Sequence, residues 1–147
     1  MFKQRQLTPP PITPGLRLSN RYRLEEQLGE GGTGVIYKAK DEELGRVVAI
    51  KLLTAKGGLA GDKLKRFRSE ARSVARLNHP NIVTLYDYAE AEEGWPYLVM
   101  EYIPGHDLWE VDNSYSPDLM PLTESLSIVD SILAALEYYR RWPSLCR

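Results

Sequence analysis

One cysteine, Cys146, and two histidines, His79 and His106, are all the thiol and imidazole side chains in this 147-residue chain. A single thiol closes no internal disulfide, and so few of these ligands exclude a structural zinc site of the four-ligand kind. Charge of one sign is missing too. With a formal net charge of -1 no overall field draws the chain to nucleic acid or to an anionic membrane, so any anion site has to be built locally. Long hydrophobic runs are also absent. Val47–Ile50 and Ile132–Leu136 are the longest, far short of the about 20 apolar residues that a bilayer span needs. The opening Met-Phe-Lys-Gln-Arg-Gln carries no apolar signal region. These absences lead us to expect a cytoplasmic chain with no membrane segment and no nucleic-acid partner. What remains is ordinary globular composition, 43% hydrophobic and 27% charged, in one domain able to bury roughly two thirds of its unfolded surface.

Residues 1–20 hold the run Thr8-Pro-Pro-Pro-Ile-Thr-Pro-Gly15. Proline denies the backbone its donors, so the segment reads as a solvated, disordered leader, with a proline-rich docking peptide as the alternative. From Tyr22 the chain changes to short β-favouring runs at Tyr22–Leu28, Val35–Lys40, Arg46–Leu53, Ile82–Glu90 and Tyr97–Tyr102. Short links such as Asp41–Gly45 and Glu92–Gly94 imply antiparallel neighbours. Between the third and fourth runs, Asp62–Leu77 places Leu64, Phe67, Ala71, Val74, Ala75 and Leu77 at helical spacing. The expected fold is α+β, a five-stranded antiparallel sheet with one packed helix. Beyond Tyr102 the reading is an irregular stretch, then a second helix capped near Thr123 and presenting Leu126, Val129, Leu133 and Leu136.

Four glycines crowd into residues 29–34. Gly29-x-Gly31-x-x-Gly34 is by itself a weak signal, shared by dinucleotide folds and by hairpins that cover phosphates. A dinucleotide site needs a helix after the glycines and an acid about twenty positions on; here a strand pattern follows, and Lys51 stands at that distance. The surviving readings are a tight turn, or a glycine hairpin whose bare N–H groups approach phosphate oxygens. In Val48-Ala-Ile-Lys51, alternation sends Ala49 and Lys51 to one face and Val48 and Ile50 to the other. Glu70 falls within the apolar arc of the helix. It either pairs with Lys51 or reaches past the edge of the arc to water, because an unpaired buried charge costs several kcal/mol.

These stretches, Leu28-Gly-Glu-Gly-Gly-Thr-Gly-Val-Ile-Tyr37, Val48-Ala-Ile-Lys51, Glu70 within "RFRSEARSVARLNHPNIVTLYDY" and "YLVMEYIPGHDL", resemble in order and spacing the small lobe of a protein kinase. The likeness is greatest to bacterial serine/threonine kinases of eukaryotic type. It implies a small lobe over 21–100, a hinge over 101–107 and the incomplete start of a large lobe, with a divergent tail, over 108–147. It implies that Gly29, Gly31 and Gly34 cover the phosphates of ATP and that Leu28, Ile36 and Ala49 enclose adenine. Lys51 would contact the α- and β-phosphates with Glu70 as its partner. Met100 would stand at the back of the pocket, Glu101 to Ile103 would offer backbone groups to adenine, and Asp107 would meet the ribose. Thr33 replaces the larger residue many members carry at the loop tip.

The family's catalytic loop of His-Arg-Asp type and its Asp-Phe-Gly metal site do not occur: the only phenylalanines are Phe2 and Phe67. His79 therefore reads as a turn residue and His106-Asp107 as part of the hinge. The expectation is an ATP-binding portion with no catalytic residue of its own, inactive alone, using Mg²⁺ only where the intact family assembles and meeting a protein substrate only if the missing lobe is supplied. The alternative is a non-catalytic interaction or regulatory module, and the exposed C-terminal helix is expected to favour self-association.

Overall fold

Alternating β-branched and aromatic side chains build six antiparallel strands in the computed structural model, which describes residues 15–32, 34–53, 68–69, 71–91, 94–115 and 120–141. They are β1 (Arg17–Leu18), β2 (Tyr22–Gly31), β3 (Gly34–Asp41), β4 (Arg46–Leu53), β5 (Leu85–Glu90) and β6 (Pro96–Glu101). Their order across the sheet is β1-β2-β3-β4-β6-β5. All five expected strands are present, although β5 begins three residues later than expected. β1 makes a sixth.

β1 corrects the reading of residues 1–20 as a leader throughout. Leu18 is buried and pairs with Tyr22, and the Ser19-Asn20 turn adopts left-handed backbone at both residues, closed by the Arg21 N–H on the Leu18 carbonyl at 3.1 Å. Ser19 also shares a 2.7 Å hydrogen bond with the hydroxyl of Tyr97, a side chain with no exposed surface. A buried phenol without a partner would be costly, so this contact anchors the start of the fold to its centre.

The core lies on one face of the sheet. Val35, Tyr37, Ala39, Val48, Ile50, Leu52, Tyr97 and Val99 alternate along β3, β4 and β6 and are each at most 3% exposed. Tyr22 meets Tyr97 edge to face at 6.1 Å.

At the β3–β4 turn Asp41 is fully buried and held by a two-pronged bond from Arg21, Nε to Oδ1 at 2.9 Å and Nη2 to Oδ2 at 2.8 Å. The backbone N–H groups of Glu43 and Leu44 also donate to Oδ1, each at 3.2 Å. The Arg21 hydrogen bond, aided by those two N–H groups, holds the Asp41 carboxyl below its ordinary range, although burial pulls the other way. The same bond raises the Arg21 guanidinium.

Helix α1 is described at residues 68–69 and 71–74. Leu64 and Phe67 of the expected stripe lie outside the described residues; Ala71 and Leu77 are buried, while Val74 is 37% exposed. The helix ends at 74, not at Leu77. Arg68 ties it to β5 through Tyr88 Oη at 3.2 Å and Glu90 Oε2 at 2.6 Å.

Helix α2 (Leu108–Ser114) occupies part of the stretch expected to be irregular. Its signal was legible: Asp107 and Glu110 form a reciprocal capping box, Asp107 Oδ1 accepting from the Glu110 N–H at 2.8 Å. Helix α3 (Leu122–Arg140) starts from Pro121, which caps it without a side-chain bond, so the expected cap Thr123 sits inside the first turn. Leu126, Val129, Leu133 and Leu136 on α3 are 49–58% exposed. The helix touches the sheet side of the molecule through the turn at residues 78–81: Asn81 Nδ2 donates to the Ser131 carbonyl at 2.9 Å, and the Asn78 N–H to Tyr138 Oη at 3.2 Å. His79 stacks on the Tyr138 ring at 5.1 Å and takes the Asn81 N–H on Nδ1, which makes it a turn residue as expected.

Two measurements follow. Because the folded Asp41 carboxyl titrates below its unfolded value of about 3.9, its stabilisation is complete above that pH and is lost as pH falls through the folded pKa. Urea unfolding should show Asp41→Ala destabilised by about 3 kcal/mol at neutral pH, with a flatter acid limb than wild type. In hydrogen exchange, amides of residues 126–136 should exchange faster than those of 47–51, whose strand lies between two others.

Candidate functional site

Residues paired across a sheet share a face, and alternate residues along each strand return to it. Gly29 pairs with Ile36, Ile36 with Lys51, and Lys51 with Leu98; in the next row Lys38 pairs with Ala49 and Ala49 with Met100. Ile36, Lys38, Ala49, Lys51, Leu98 and Met100 therefore occupy the face opposite the core. Ala49 is buried and the others are half-buried, against near-complete burial on the core side. A half-buried apolar face carrying two ammonium groups suits a flat apolar ring joined to an anion.

The glycine hairpin stands at the end of this face. Gly31 pairs with Gly34, with Gly32 in the turn; Thr33 lies outside the described residues. An irregularity between Gln27 and Gly29 leaves Leu28 at 43% exposure beside the hairpin. The glycines divide by cause. A Cβ on Gly34 would run into the Leu52 carbonyl oxygen, with the Leu52 carbon at 3.0 Å and Leu53 Cα at 3.2 Å, so the packing of β3 on β4 forbids a side chain there. A Cβ on Gly29 or Gly31 would meet nothing within 4 Å. The protein's own packing does not require glycine at those two positions.

Glu70, the expected partner of Lys51, lies outside the described residues. The other expected residues fall along one path. Met100 and Glu101 end β6, and Glu101 is pinned by its N–H to the Thr84 carbonyl at 2.9 Å and by its carboxylate to the Thr84 N–H at 3.3 Å. Ile103 follows, 61% exposed, and Asp107 caps α2. Sequence reasoning gives no role to Lys38 or to the side chain of Tyr102, whose ammonium and ring centroid lie 5.3 Å apart. Lys38 could have been found by counting two residues on from Ile36.

Hollows of about 440 Å³ and 220 Å³ lie elsewhere, the first lined by Ser19, Asn20, Arg21, Glu42 and Glu43, the second between Asn81 and α3. Neither is lined by the glycine hairpin or by Lys51. Among the described residues no group of three or more His, Cys, Asp or Glu side chains could hold a metal ion. Nor is any helix among them long and apolar enough to cross a membrane.

An antiparallel sheet with a glycine hairpin, a strand lysine beneath it, one packed helix and a strand leading into a hinge defines the small lobe of a protein kinase, followed by the first helices of the large lobe. The protein kinase domain family matches residues 22–141, and the chain belongs to that family. It is 40% identical over 124 residues to the serine/threonine-protein kinase PrkC of Bacillus subtilis, covering 84% of this chain and 19% of that protein. To the serine/threonine-protein kinase PknB of Mycobacterium leprae it is 39% identical over 135 residues, covering 90% and 21%. Among solved structures, the PknI kinase domain of Mycobacterium tuberculosis superposes with a TM-score of 0.75 at 28% identity, covering 87% of this chain and 51% of that one. The chain thus spans about a fifth of the length of these curated relatives.

The division among the glycines is measurable by denaturant unfolding. Gly34→Ala should cost about 1–3 kcal/mol through overpacking against β4, whereas Gly29→Ala and Gly31→Ala should stay within about 1 kcal/mol of wild type.

Proposed function

We propose that this chain is the ATP-binding portion of a serine/threonine protein kinase. The observation that carries the reading is the shared face of Ile36, Ala49, Lys51 and Met100 at the foot of a glycine hairpin. Leu28, Ile36 and Ala49 would enclose the adenine ring, with Met100 behind it. Backbone groups of Glu101 and Ile103 would meet the ring's polar edge. Asp107, with Oδ1 engaged by the α2 cap, would offer its second oxygen to a ribose hydroxyl. Bare N–H groups at Gly29 and Gly31, where no neighbouring atom demands glycine, would approach the phosphates, and Lys51, oriented by Glu70, would neutralise them. Bound ATP supplies the phosphoryl group that such kinases move to a serine or threonine hydroxyl.

Transfer itself needs an aspartate to orient the hydroxyl and carboxylates to hold metal, and residues 1–147 contain neither the His-Arg-Asp nor the Asp-Phe-Gly pattern. These residues bind and orient nucleotide; transfer to a protein substrate requires groups supplied from outside them. The exposed stripe Leu126, Val129, Leu133 and Leu136 favours a second reading, a non-catalytic interaction module that self-associates through α3.

Thermal unfolding with Mg-ATP separates the two. At about tenfold excess over Kd the wild-type midpoint should rise by about 4 °C, and Lys51→Ala should abolish the rise. A wild-type midpoint indifferent to Mg-ATP, with sedimentation showing dimers that Leu133→Glu disperses, would replace the first reading by the second.

A further inference from the structure

The geometry points to a clasp between Lys38 and Tyr102 that sets the grip of the hinge on the base of a nucleotide, separately from the grip on its phosphates. This inference rests on the nucleotide reading above and extends it to two side chains that have no role in it. Lys38 lies on the site face of β3, opposite Ala49, and its ammonium stands 5.3 Å from the centroid of the Tyr102 ring. That distance is within the range at which a cation is held over an aromatic face. Both side chains are half-buried, so water screens the contact less than it would at the surface.

The location of the contact gives it a role. Glu101 is already fixed to Thr84 by two hydrogen bonds, one through its backbone and one through its side chain. Tyr102 is the next residue, and the clasp fixes it to β3. Beyond it the chain turns out to solvent: Ile103 is 61% exposed and Gly105 has a φ of 123°. The peptide groups of Glu101 and Ile103, those proposed to bond the base, flank the residue that the clasp holds. Lys38 and Tyr102 are thus positioning residues, acting on the base through the hinge backbone. One competing carboxylate stands nearby, Glu26, which is opposite Lys38 in the β2–β3 register.

Calorimetric titration of the full 147-residue chain with ADP and, separately, with inorganic tripolyphosphate tests the clasp. Lys38→Met and Tyr102→Leu should each weaken ADP about 2–5-fold, the change a cation–aromatic contact of 0.5–1 kcal/mol corresponds to. The double variant should be no weaker than the worse single variant. Tripolyphosphate affinity should stay within about twofold, and Lys38→Arg and Tyr102→Phe should restore ADP binding. Equal losses for ADP and tripolyphosphate, multiplicative losses in the double variant, or the same loss from Glu26→Gln would overturn the clasp. Hydrogen exchange of the ligand-free protein judges it independently. Faster exchange at residues 101–103 in both single variants supports the clasp, and unchanged exchange rejects it. If wild type binds neither ADP nor tripolyphosphate, the nucleotide reading falls and so does the clasp's role in base binding, whereas the exchange data still decide whether the contact holds the hinge.

Discussion

The pairing of β4 with β3 on one side and β6 on the other decides which residues become core and which become site. Side chains alternate between faces, so a slip of one residue would carry Lys51 and Ala49 inward and push Val48 and Ile50 out. The apolar content of the inner face prevents this: Val48, Ile50 and Val99 have no exposed surface, and a lysine in their place would be an unpaired buried charge. Core packing and site placement are thus one constraint. Each residue that strengthens the interior of the sheet also holds its neighbour in sequence on the opposite side.

Much of this could be read from residue order. The strand at 46–53 was found to the residue, and the face on which Lys51 stands followed from alternation alone. The glycine hairpin could be separated from a helix-opening loop because Val35–Lys40 has the wrong periodicity for a helix. Family membership added the assignment of roles, which no single spacing carries. What escaped detection depended on partners far away in the chain. β1 is two residues long and is secured by Leu18 and by the Ser19–Tyr97 bond, a contact between residues 78 positions apart. Its local trace was only Leu16-Arg-Leu18 ahead of Ser-Asn, overshadowed by the neighbouring prolines. In sequence Gly34 is indistinguishable from the other glycines, because residue order does not show that a strand backbone passes against it. The carboxylate expected beside Lys51, Glu70, lies outside the described residues, so that part of the site stands on the resemblance.

Charge is concentrated at the other end of β3. Arg21, from the residue before β2, closes on Asp41, from the last residue of β3, while Arg46 at the start of β4 stands 3.7 Å from the same carboxylate and lies over the Tyr86 ring at 3.8 Å. One buried acid thus draws on Arg21 ahead of β2, on the turn amides of Glu43 and Leu44 and on Arg46 of β4, and it fixes the tight end of the β3–β4 hairpin while the glycine end stays open. The two ends of β3 differ accordingly in what restrains them: hydrogen bonds to a charge at Asp41, and backbone contact alone at Gly34.

The turn at residues 78–81 has a mechanical meaning. Helix α3 is tied to this turn by two bonds, from the Asn78 N–H to the Tyr138 hydroxyl and from Asn81 Nδ2 to the Ser131 carbonyl, which meet α3 about two helical turns apart. Two anchor points define a line, and a body held at two points retains a single rotation, about that line. The rotation this turn leaves to α3 is therefore a roll about the helix's own long axis, whereas tilting the helix away from the strands breaks one of the two bonds.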